Sequence, residues 1–193
     1  AYLLGDLDPA YDEFCNWYGA RRPNGDLDSL MVHYEGLSLP PVLAVGSRPG
    51  VAAILDRFGE SLPDRFHFHV HENHIPALEE RFGIAELRTM RRLSMHRAAY
   101  QPRDPDPRVR GLGHEDTAAI MELYEYYPDN LFEPHQLETG LYFGIDADDG
   151  GLASIAGVHV VSQAHDIAAI GNLVTRPDER GRGLATACTA KLL

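Results

Sequence analysis

The residues best suited to chemistry stand in one short run near the end of the sequence, where Arg180 and Arg182 alternate with Gly181 and Gly183. Glycine has no Cβ, so a loop that contains it can turn tightly and let an anion approach its backbone. The Ala- and Leu-rich segment that follows predicts a helix, whose first N–H groups have no internal partner and carry the positive end of the helix dipole. With the two guanidinium groups, this run predicts a pyrophosphate site.

The spacing of these residues separates several kinds of phosphate-binding loop. A P-loop needs Gly, four residues and then Gly-Lys-Ser/Thr, and no such Lys-Ser/Thr pair follows the glycines. The dinucleotide pattern Gly-x-Gly-x-x-Gly would begin at Gly181, but Thr186 takes its third glycine position and no acidic residue follows. What remains is Arg180-x-x-Gly183-x-Ala185, preceded by Val-Thr-x-Pro at 174–177. The structural alternative is a glycine-rich turn with surface arginines and no ligand.

This pattern resembles the acetyl-CoA-binding motif of the GNAT superfamily of N-acyltransferases, Gln/Arg-x-x-Gly-x-Gly/Ala after a β-strand. The resemblance implies an enzyme that moves an acetyl or other acyl group from acyl-CoA directly to a primary amine, carried by a small amine or amino-acid acceptor. It implies acetyl-CoA or another acyl-CoA as the donor and no metal. The alternative is a catalytically idle CoA-binding module with a regulatory or interaction role.

The resemblance also implies which residues hold the donor. The pantetheine arm would pair with backbone groups of the motif strand, and a strand amide near Leu173 would polarise the thioester carbonyl. The pyrophosphate would meet the loop amides, with the hydroxyl of Thr186 as a further donor. The expected donor-binding residues are Leu173, Val174, Thr175, Arg180, Gly181, Arg182, Gly183, Leu184, Ala185 and Thr186.

The catalytic groups are less clearly marked than the donor site. Asn172 is the only polar side chain of the motif strand before Thr175, and it could orient the acceptor or a water molecule. It could equally be a buried amide with its hydrogen bonds satisfied. Glu133 could reach the acceptor as a general base or be a surface carboxylate. The acid that the family usually employs, a Tyr after the next strand, would lie beyond Leu193.

Hydrophobic periodicity and turn residues predict a mixed α/β chain in two parts. Residues 109–193 resemble the first half of a GNAT domain, and the motif helix would be cut short at Leu193. Its predicted strands are 109–112, 141–145, 152–161 and 166–174, with helices at 115–127 and after Pro134. The first part has a helical or irregular segment at 10–18, strands at 29–34, 41–46, 65–71 and 85–95, and helices at 51–58 and 75–82.

The first part resembles a GNAT-like domain that has lost CoA binding, because the loop at 47–50 lacks the motif spacing. We therefore expect a degenerate GNAT-like domain over 1–96, a Pro- and Asp-containing linker over 97–108, and an acyl-CoA-binding domain over 109–193. A tandem of this kind, with the residues from Ala168 to Thr186, is similar to the glycine N-acyltransferase-like subgroup.

A histidine cluster is the other conspicuous feature. Alternation places His67, His69 and His71 on one face of a strand, followed by His74, and imidazole is a common zinc ligand. No cysteine lies near them in the spacing of a structural zinc site. We interpret them as solvated or packed side chains rather than metal ligands.

Composition bounds the remaining function classes. In 193 residues, 44% are hydrophobic and 24% charged, as in a globular protein, and the net charge of −12 argues against nucleic-acid or anionic membrane partners. Cys15 and Cys188 show no metal-type spacing, which favours free thiols and a cytoplasmic protein. The sequence lacks an initiator Met and stops within the predicted helix, so we expect both ends to have been trimmed.

Overall fold

Two separate four-stranded sheets form the framework of the computed structural model, which describes residues 2–128 and 132–193. Residues 9–92 form one unit, the N-terminal unit, and residues 2–8 with 93–193 form the other, the C-terminal unit. The strands are β1 (Cys15–Arg21), β2 (Leu27–Tyr34), β3 (Pro41–Gly46), β4 (His67–His69), β5 (Arg110–Gly111), β6 (Tyr142–Asp146), β7 (Leu152–Ser162) and β8 (Ile167–Thr175). The α-helices are α1 (Tyr2–Gly5), α2 (Arg48–Phe58), α3 (Ile75–Glu79), α4 (Thr117–Tyr124) and α5 (Leu184–Leu192). Short 3-10 turns cover Pro9–Phe14, Gly59–Ser61, Glu72–His74, Arg97–Ala99, His114–Asp116, Pro134–Thr139 and Pro177–Glu179.

The sheet of the N-terminal unit has the order β1-β2-β3-β4. Its first three strands are antiparallel, and β4 joins β3 in the parallel direction after the chain crosses over through α2. Helix α2 begins at a Ser47 cap with a proline in its first turn, and its buried side packs on the sheet. The core combines Val51 and Ile54 of α2 with Met31 and Val42 of the sheet.

The sheet of the C-terminal unit has the order β5-β6-β7-β8 with every neighbouring pair antiparallel. Successive residues of a strand point to opposite faces, so β7 supplies both halves of the core. Ile155 packs with Ile120 of α4 and with Tyr142 on one face. Ala156 packs with Leu184 and other residues of α5 on the opposite face. The long central strand β7 therefore fixes α4 and α5 on opposite sides of the sheet.

The segment at 10–18 is not a helix beyond its first residues. Pro9–Phe14 form a 3-10 turn, and β1 then pairs Trp17 with Val32 and Tyr18 with Met31. The ring of Tyr18 lies 4.8 Å from that of Phe58, centroid to centroid. Pairing of aromatic side chains with apolar partners on the neighbouring strand stabilises a strand here. The local sequence pattern does not predict this strand, because the partners lie elsewhere in the chain.

The predicted strand at 85–95 is wrong. The structure describes all of this segment and gives it no regular secondary structure. Leu87, Met90 and Leu93 are exposed, so the alternation of apolar and charged residues does not mark a buried face. Alternation alone cannot form a strand without a neighbour to accept its hydrogen bonds.

The two units of the structure meet at residues other than those of the predicted linker at 97–108. Residues 2–8 belong with the C-terminal unit, where Ser162 donates a hydrogen bond of 2.8 Å from Oγ to the carboxylate of Asp8. Residues 93–108 also belong to that unit, and the hydroxyl of Tyr100 lies 3.3 Å from the carbonyl oxygen of Ala190 in α5. The prolines therefore do not prevent this segment from packing on α5.

The other predicted elements lie within a few residues of observed ones, with one change of type and one shortened strand. The segment after Pro134 is a 3-10 turn rather than an α-helix. Strand β4 ends at His69, so His71 does not share its face and instead caps the turn at Glu72–His74. Within residues 2–128 and 132–193, no helix combines the length and the apolar character needed to cross a membrane.

Candidate acyl-donor site

Strand β8 carries a bulge just before the glycine-rich loop. Ile155 pairs with Val174 and Gly157 with Gly171, so Asn172 and Leu173 together oppose the single residue between them on β7. Asn172 takes a positive φ of 50° at this point. A bulge bends its strand and removes backbone groups from the ladder, and it is a common feature beside active sites. The amides of β8 near Leu173 are thus free of regular pairing where the sequence predicts the thioester.

The end of β8 is fixed by hydrogen bonds from three directions. The hydroxyl of Ser154 lies 2.8 Å from that of Thr175 and donates to the carbonyl of Val174 at 3.1 Å. The hydroxyl of Tyr127, just after α4, donates to the carbonyl of Thr175. The next residue, Arg176, donates its N–H to the carbonyl of Ala153 on β7. The loop therefore leaves the sheet from a rigid point.

The loop enters α5 through two glycines in the left-handed region. Gly181 has a φ of 76° and Gly183 a φ of 78°, and Gly183 is the N-cap of α5. L-residues rarely adopt this conformation, so the loop needs glycine at both positions. No other heavy atom lies within 4 Å of a Cβ built on either residue, so the space beside the loop is open.

The predicted donor residues largely converge on one cleft at the start of α5. The cleft holds about 230 Å³. Leu184 lines the cleft although its side chain packs in the core. Thr186 is exposed and its hydroxyl is accessible. The lining residues are Thr175, Glu179, Arg180, Gly181, Gly183, Leu184, Ala185 and Thr186.

The remaining donor candidates lie outside this cleft. Val174 is buried in the core, and Arg182 points to the carboxylate of Glu179. Leu173 is 45% exposed and lines an adjoining cleft with Tyr100 and Arg103. The two clefts share Ala185 and Thr186, so a groove runs from the loop along α5 to the bulge of β8.

Two arginines of the loop, Arg176 and Arg180, have intramolecular partners. Arg180 donates from Nη2 to the hydroxyl of Tyr127 at 2.7 Å, and its guanidinium carbon lies 5.5 Å from the centroid of that ring. Arg176 pairs with Asp178 and Asp149, and these hydrogen bonds raise its pKa above its ordinary value. These pairs stabilise the loop, and the open donors of the cleft are backbone N–H groups at the start of α5.

Asn172 lies in a buried polar cluster beneath the bulge. Its side chain is 6% exposed, and its amide nitrogen donates to the hydroxyl of Tyr142 and to Oε1 of Gln136 at 3.3 Å. Burial raises the pKa of Tyr142 and also that of Tyr124 well above the ordinary value for a phenol, so both remain neutral. The geometry of Asn172 is that of a satisfied buried amide that fixes the bulge.

The other candidate residues have local contacts or low reactivity. Glu133 begins the 3-10 turn at Pro134–Thr139, where its N–H donates to Gln136 at 3.1 Å. Burial raises the pKa of the Cys188 thiol to about 11, which makes it a poor nucleophile. His74 is buried and its Nε2 lies 3.0 Å from the carbonyl of Gly46. Among the described residues, no group of three or more His, Cys, Asp or Glu side chains is arranged to hold a metal ion.

Two glycines beside the bulge, outside the Arg-x-x-Gly-x-Ala motif, indicate from the sequence that another group packs closely on the strands. Gly157 and Gly171 stand in the middle of strands, and a glycine there often marks close approach of another group. A Cβ built on Gly157 would overlap the ring of Tyr142, and one built on Gly171 would overlap the imidazole of His159. Tyr127 has no such signal, because its two partners are brought to it only by the fold.

The anchored end of β8, two left-handed glycines and the start of α5 together form a cleft that could hold a phosphate group. Residues 114–193 match the model of the Acetyltransferase (GNAT) family. Members of this family use acetyl-CoA as donor together with an acceptor.

Other comparisons are limited in extent. A solved structure of a GNAT family protein from Novosphingobium aromaticivorans DSM 12444 is 28% identical, with a TM-score of 0.42. The similarity covers 47% of this chain and 40% of that one, so the chain spans well under half the length of that protein. No curated protein matches the chain.

Proposed function

We propose that the full-length protein is an N-acyltransferase that moves an acetyl or other acyl group from acyl-CoA to the primary amine of a small acceptor. The observation that carries the proposal is the cleft from Thr175 to Thr186, in which left-handed Gly183 presents the first N–H groups of α5 to open space. The pyrophosphate of CoA is the anion that would bind there. The pantetheine arm would follow the adjoining groove along α5 toward Leu173.

Transfer itself needs a polarised carbonyl and a nearby acceptor. The bulge at Asn172 and Leu173 turns strand amides away from the ladder, and such an amide would stabilise the oxyanion that forms on the thioester. The polar cluster around Asn172 lies on the face of the sheet that α4 covers. We propose that a small amine or amino acid binds on that face, opposite the side covered by α5.

The N-terminal unit supports a tandem arrangement. In this unit the antiparallel strands β1, β2 and β3 are followed by a short loop and by α2, which is the same order as β6, β7, β8 and α5 in the C-terminal unit. The N-terminal unit then adds the parallel strand β4. Its loop differs in chemistry, because Ser47 caps α2 and donates to the carboxylate of Asp28. A Cβ on Gly50 would also overlap that carboxylate. We propose that this unit is a degenerate GNAT-like domain in which Asp28 lies where a pyrophosphate would bind.

The tandem arrangement and the motif together favour the glycine N-acyltransferase-like subgroup. We propose a cytoplasmic location, because Cys15 and Cys188 are both free thiols and this suits a reducing compartment. An idle CoA-binding module is the second candidate, since the cleft would bind the donor in either case. No separate observation favours it.

An assay of free thiol distinguishes the two candidates. The full-length protein is incubated with acetyl-CoA and a panel of small amines and amino acids, and CoA release is followed with a thiol reagent. An enzyme gives release that depends on the acceptor, together with an acylated amine identified by its mass. A protein that binds acetyl-CoA in calorimetry but gives no such release with any amine is an idle module.

A further inference from the structure

A half-buried imidazole, that of His159, lies beside the bulge of β8 on the neighbouring strand β7. Val158 pairs with Ile170 and Val160 with Ala169, so His159 is an extra residue that forms a second bulge, in β7. The Gly157–Gly171 pair therefore lies between two bulges, one on each strand. Bulges of this kind re-aim a side chain, and here the re-aimed side chain is a histidine.

The two glycines of this pair provide the space for the imidazole. A Cβ on Gly171 would overlap Nε2 of His159, and a Cβ on Gly157 would overlap the ring of Tyr142. Because Gly157 and Gly171 are direct cross-strand partners, their missing side chains would lie on the same face of the sheet. His159 and Tyr142 thus lie side by side over the backbone, and Tyr142 in turn accepts a hydrogen bond from Asn172.

We infer that His159 is the general base for the acyl transfer of the proposed function, on which this inference rests. Its Nε2 lies against the backbone of Gly171, one residue before the bulge at Asn172 and Leu173. That bulge is where the thioester carbonyl would be held, so the acceptor nitrogen would approach between the two. The side chain of His159 is partly exposed, whereas those of Tyr142 and Asn172 are buried, so it is the group of this cluster that an acceptor can reach.

The protonation state of His159 suits this role. Burial lowers the pKa of its imidazole below the ordinary value of 6.5, so the ring is neutral and able to accept a proton at pH 7. The elements that contact β7 and β8 carry several titratable groups, which are Asp6 and Asp8 after α1, Glu122 and Tyr124 of α4, His135 and Glu138 of the turn at Pro134–Thr139, Tyr142 of β6, and His165 with Asp166 in the β7–β8 turn.

The proton balance of the step is simple. The bound ammonium gives one proton to His159, and the neutral amine nitrogen attacks the thioester carbonyl carbon. The C–N bond forms, the C–S bond breaks, and the CoA sulfur leaves with the electron pair. The second amine proton passes to this sulfur to give the free thiol, and the imidazolium returns the first proton to solvent.

The test compares His159→Gln with the matched control His165→Gln, since His165 is an exposed histidine in the turn that follows β7. We expect His159→Gln to lower kcat at pH 7.5 by about 100-fold, the usual size of a general-base effect, with an unchanged Kd for acetyl-CoA. In the parent, kcat/KM should fall at acid pH with an apparent pKa below 6.5. In His159→Gln, the pH at which kcat/KM falls should move toward the pKa of the acceptor amine. His165→Gln should have the same kcat and pH profile as the parent.

The outcomes separate this inference from the proposed function. A parent that transfers the acyl group and a His159→Gln variant with the parental kcat and pH profile would overturn the role of His159 alone. A parent that shows no transfer to any amine would overturn the proposed function and the role of His159 with it. If His159→Gln does not fold, the parental profile decides, because an acid limb with an apparent pKa above 6.5 contradicts the inference.

Discussion

The guanidinium of Arg180 lies on the ring of Tyr127, with its carbon 5.5 Å from the ring centroid and Nη2 2.7 Å from the phenol oxygen. The same phenol donates to the carbonyl of Thr175, so one hydroxyl joins the end of β8 to the first residue of the motif. A phenol has one donor and also accepts, and this geometry uses the donor for Thr175 while accepting from Arg180. The donor loop is therefore held from outside by a residue that does not line its cleft.

Removal of the Tyr127 hydroxyl should loosen the loop. Tyr127→Phe keeps the ring but loses the hydrogen bonds to Thr175 and Arg180. A loss of about 1 kcal/mol in donor binding corresponds to about fivefold weaker binding of acetyl-CoA. Tyr126→Phe is the matched control, because Tyr126 is the exposed neighbour. Calorimetric titration of both variants gives the two Kd values. Equal Kd values would show that the phenol does not support the loop.

The buried cluster around Asn172 should respond differently to two similar substitutions. Tyr142→Phe leaves the amide of Asn172 without one acceptor, which should cost about 1–3 kcal/mol of unfolding free energy. The hydroxyl of Tyr124 is buried with no hydrogen-bond partner among the described residues, so Tyr124→Phe should leave stability unchanged or raise it. Urea unfolding of the two variants measures both values. A larger loss for Tyr124→Phe than for Tyr142→Phe would contradict the hydrogen-bonding pattern.

Asp28 should make the N-terminal unit sensitive to acid. The hydrogen bond from Ser47 and those from Arg22 and Ser29 lower the pKa of Asp28 below its ordinary value of 3.8. A carboxyl with a depressed pKa in the folded state stabilises the fold above its unfolded pKa, and this stability is lost as the pH falls through the folded pKa. Asp28→Asn should therefore melt below the parent at pH 7, and the difference should shrink below pH 3.8.

The control for this measurement is Asp64→Asn, because Asp64 is exposed in the same unit. It gives the baseline effect of replacing an exposed aspartate in this unit. A constant difference between Asp28→Asn and the parent from about pH 7 to about pH 3 would show that the carboxylate of Asp28 does not contribute as a charged group.

Calorimetry with acetyl-CoA should also give one site per chain, because the N-terminal unit already carries a carboxylate at α2.

The cleft at the start of α5 could be predicted from the sequence because its determinants are local. One short run of residues forms the turn at the end of β8, left-handed Gly183 and the start of α5. The cleft formed by this run is lined by the predicted residues apart from Leu173, Val174 and Arg182. The strands with buried faces are predictable for the same reason. The segment at 85–95 has the right alternation but no neighbouring strand, which no local pattern reveals.

The groups around the bulge could not be predicted in this way. Asn172, Gln136 and Tyr142 come from three distant parts of the chain and meet only when β6, β8 and the turn at Pro134–Thr139 pack together. The sequence suggests Asn172 as a catalytic group because it is polar on an apolar strand. Its hydrogen bonds instead favour a role in holding the bulge, which stays a prediction until Asn172→Ala is assayed for kcat and KM separately.

Gly183 gives the most direct test of the acyl-donor cleft. Gly183→Val forces an L-residue into the left-handed region, at a cost of roughly 1–2 kcal/mol, and places a branched side chain where the pyrophosphate would approach. Gly150→Val is the matched control, since Gly150 has a φ of 90° and equally open surroundings in the β6–β7 turn. Both variants should fold, because no heavy atom lies within 4 Å of either Cβ.

The deciding measurement is a calorimetric titration of acetyl-CoA into the full-length parent, Gly183→Val and Gly150→Val. Loss of charge-assisted hydrogen bonds of about 1.5–3 kcal/mol each should weaken binding by Gly183→Val about tenfold or more, whereas Gly150→Val should bind as the parent does. A folded Gly183→Val that binds acetyl-CoA as tightly as the parent would contradict the assignment of this cleft to the acyl donor.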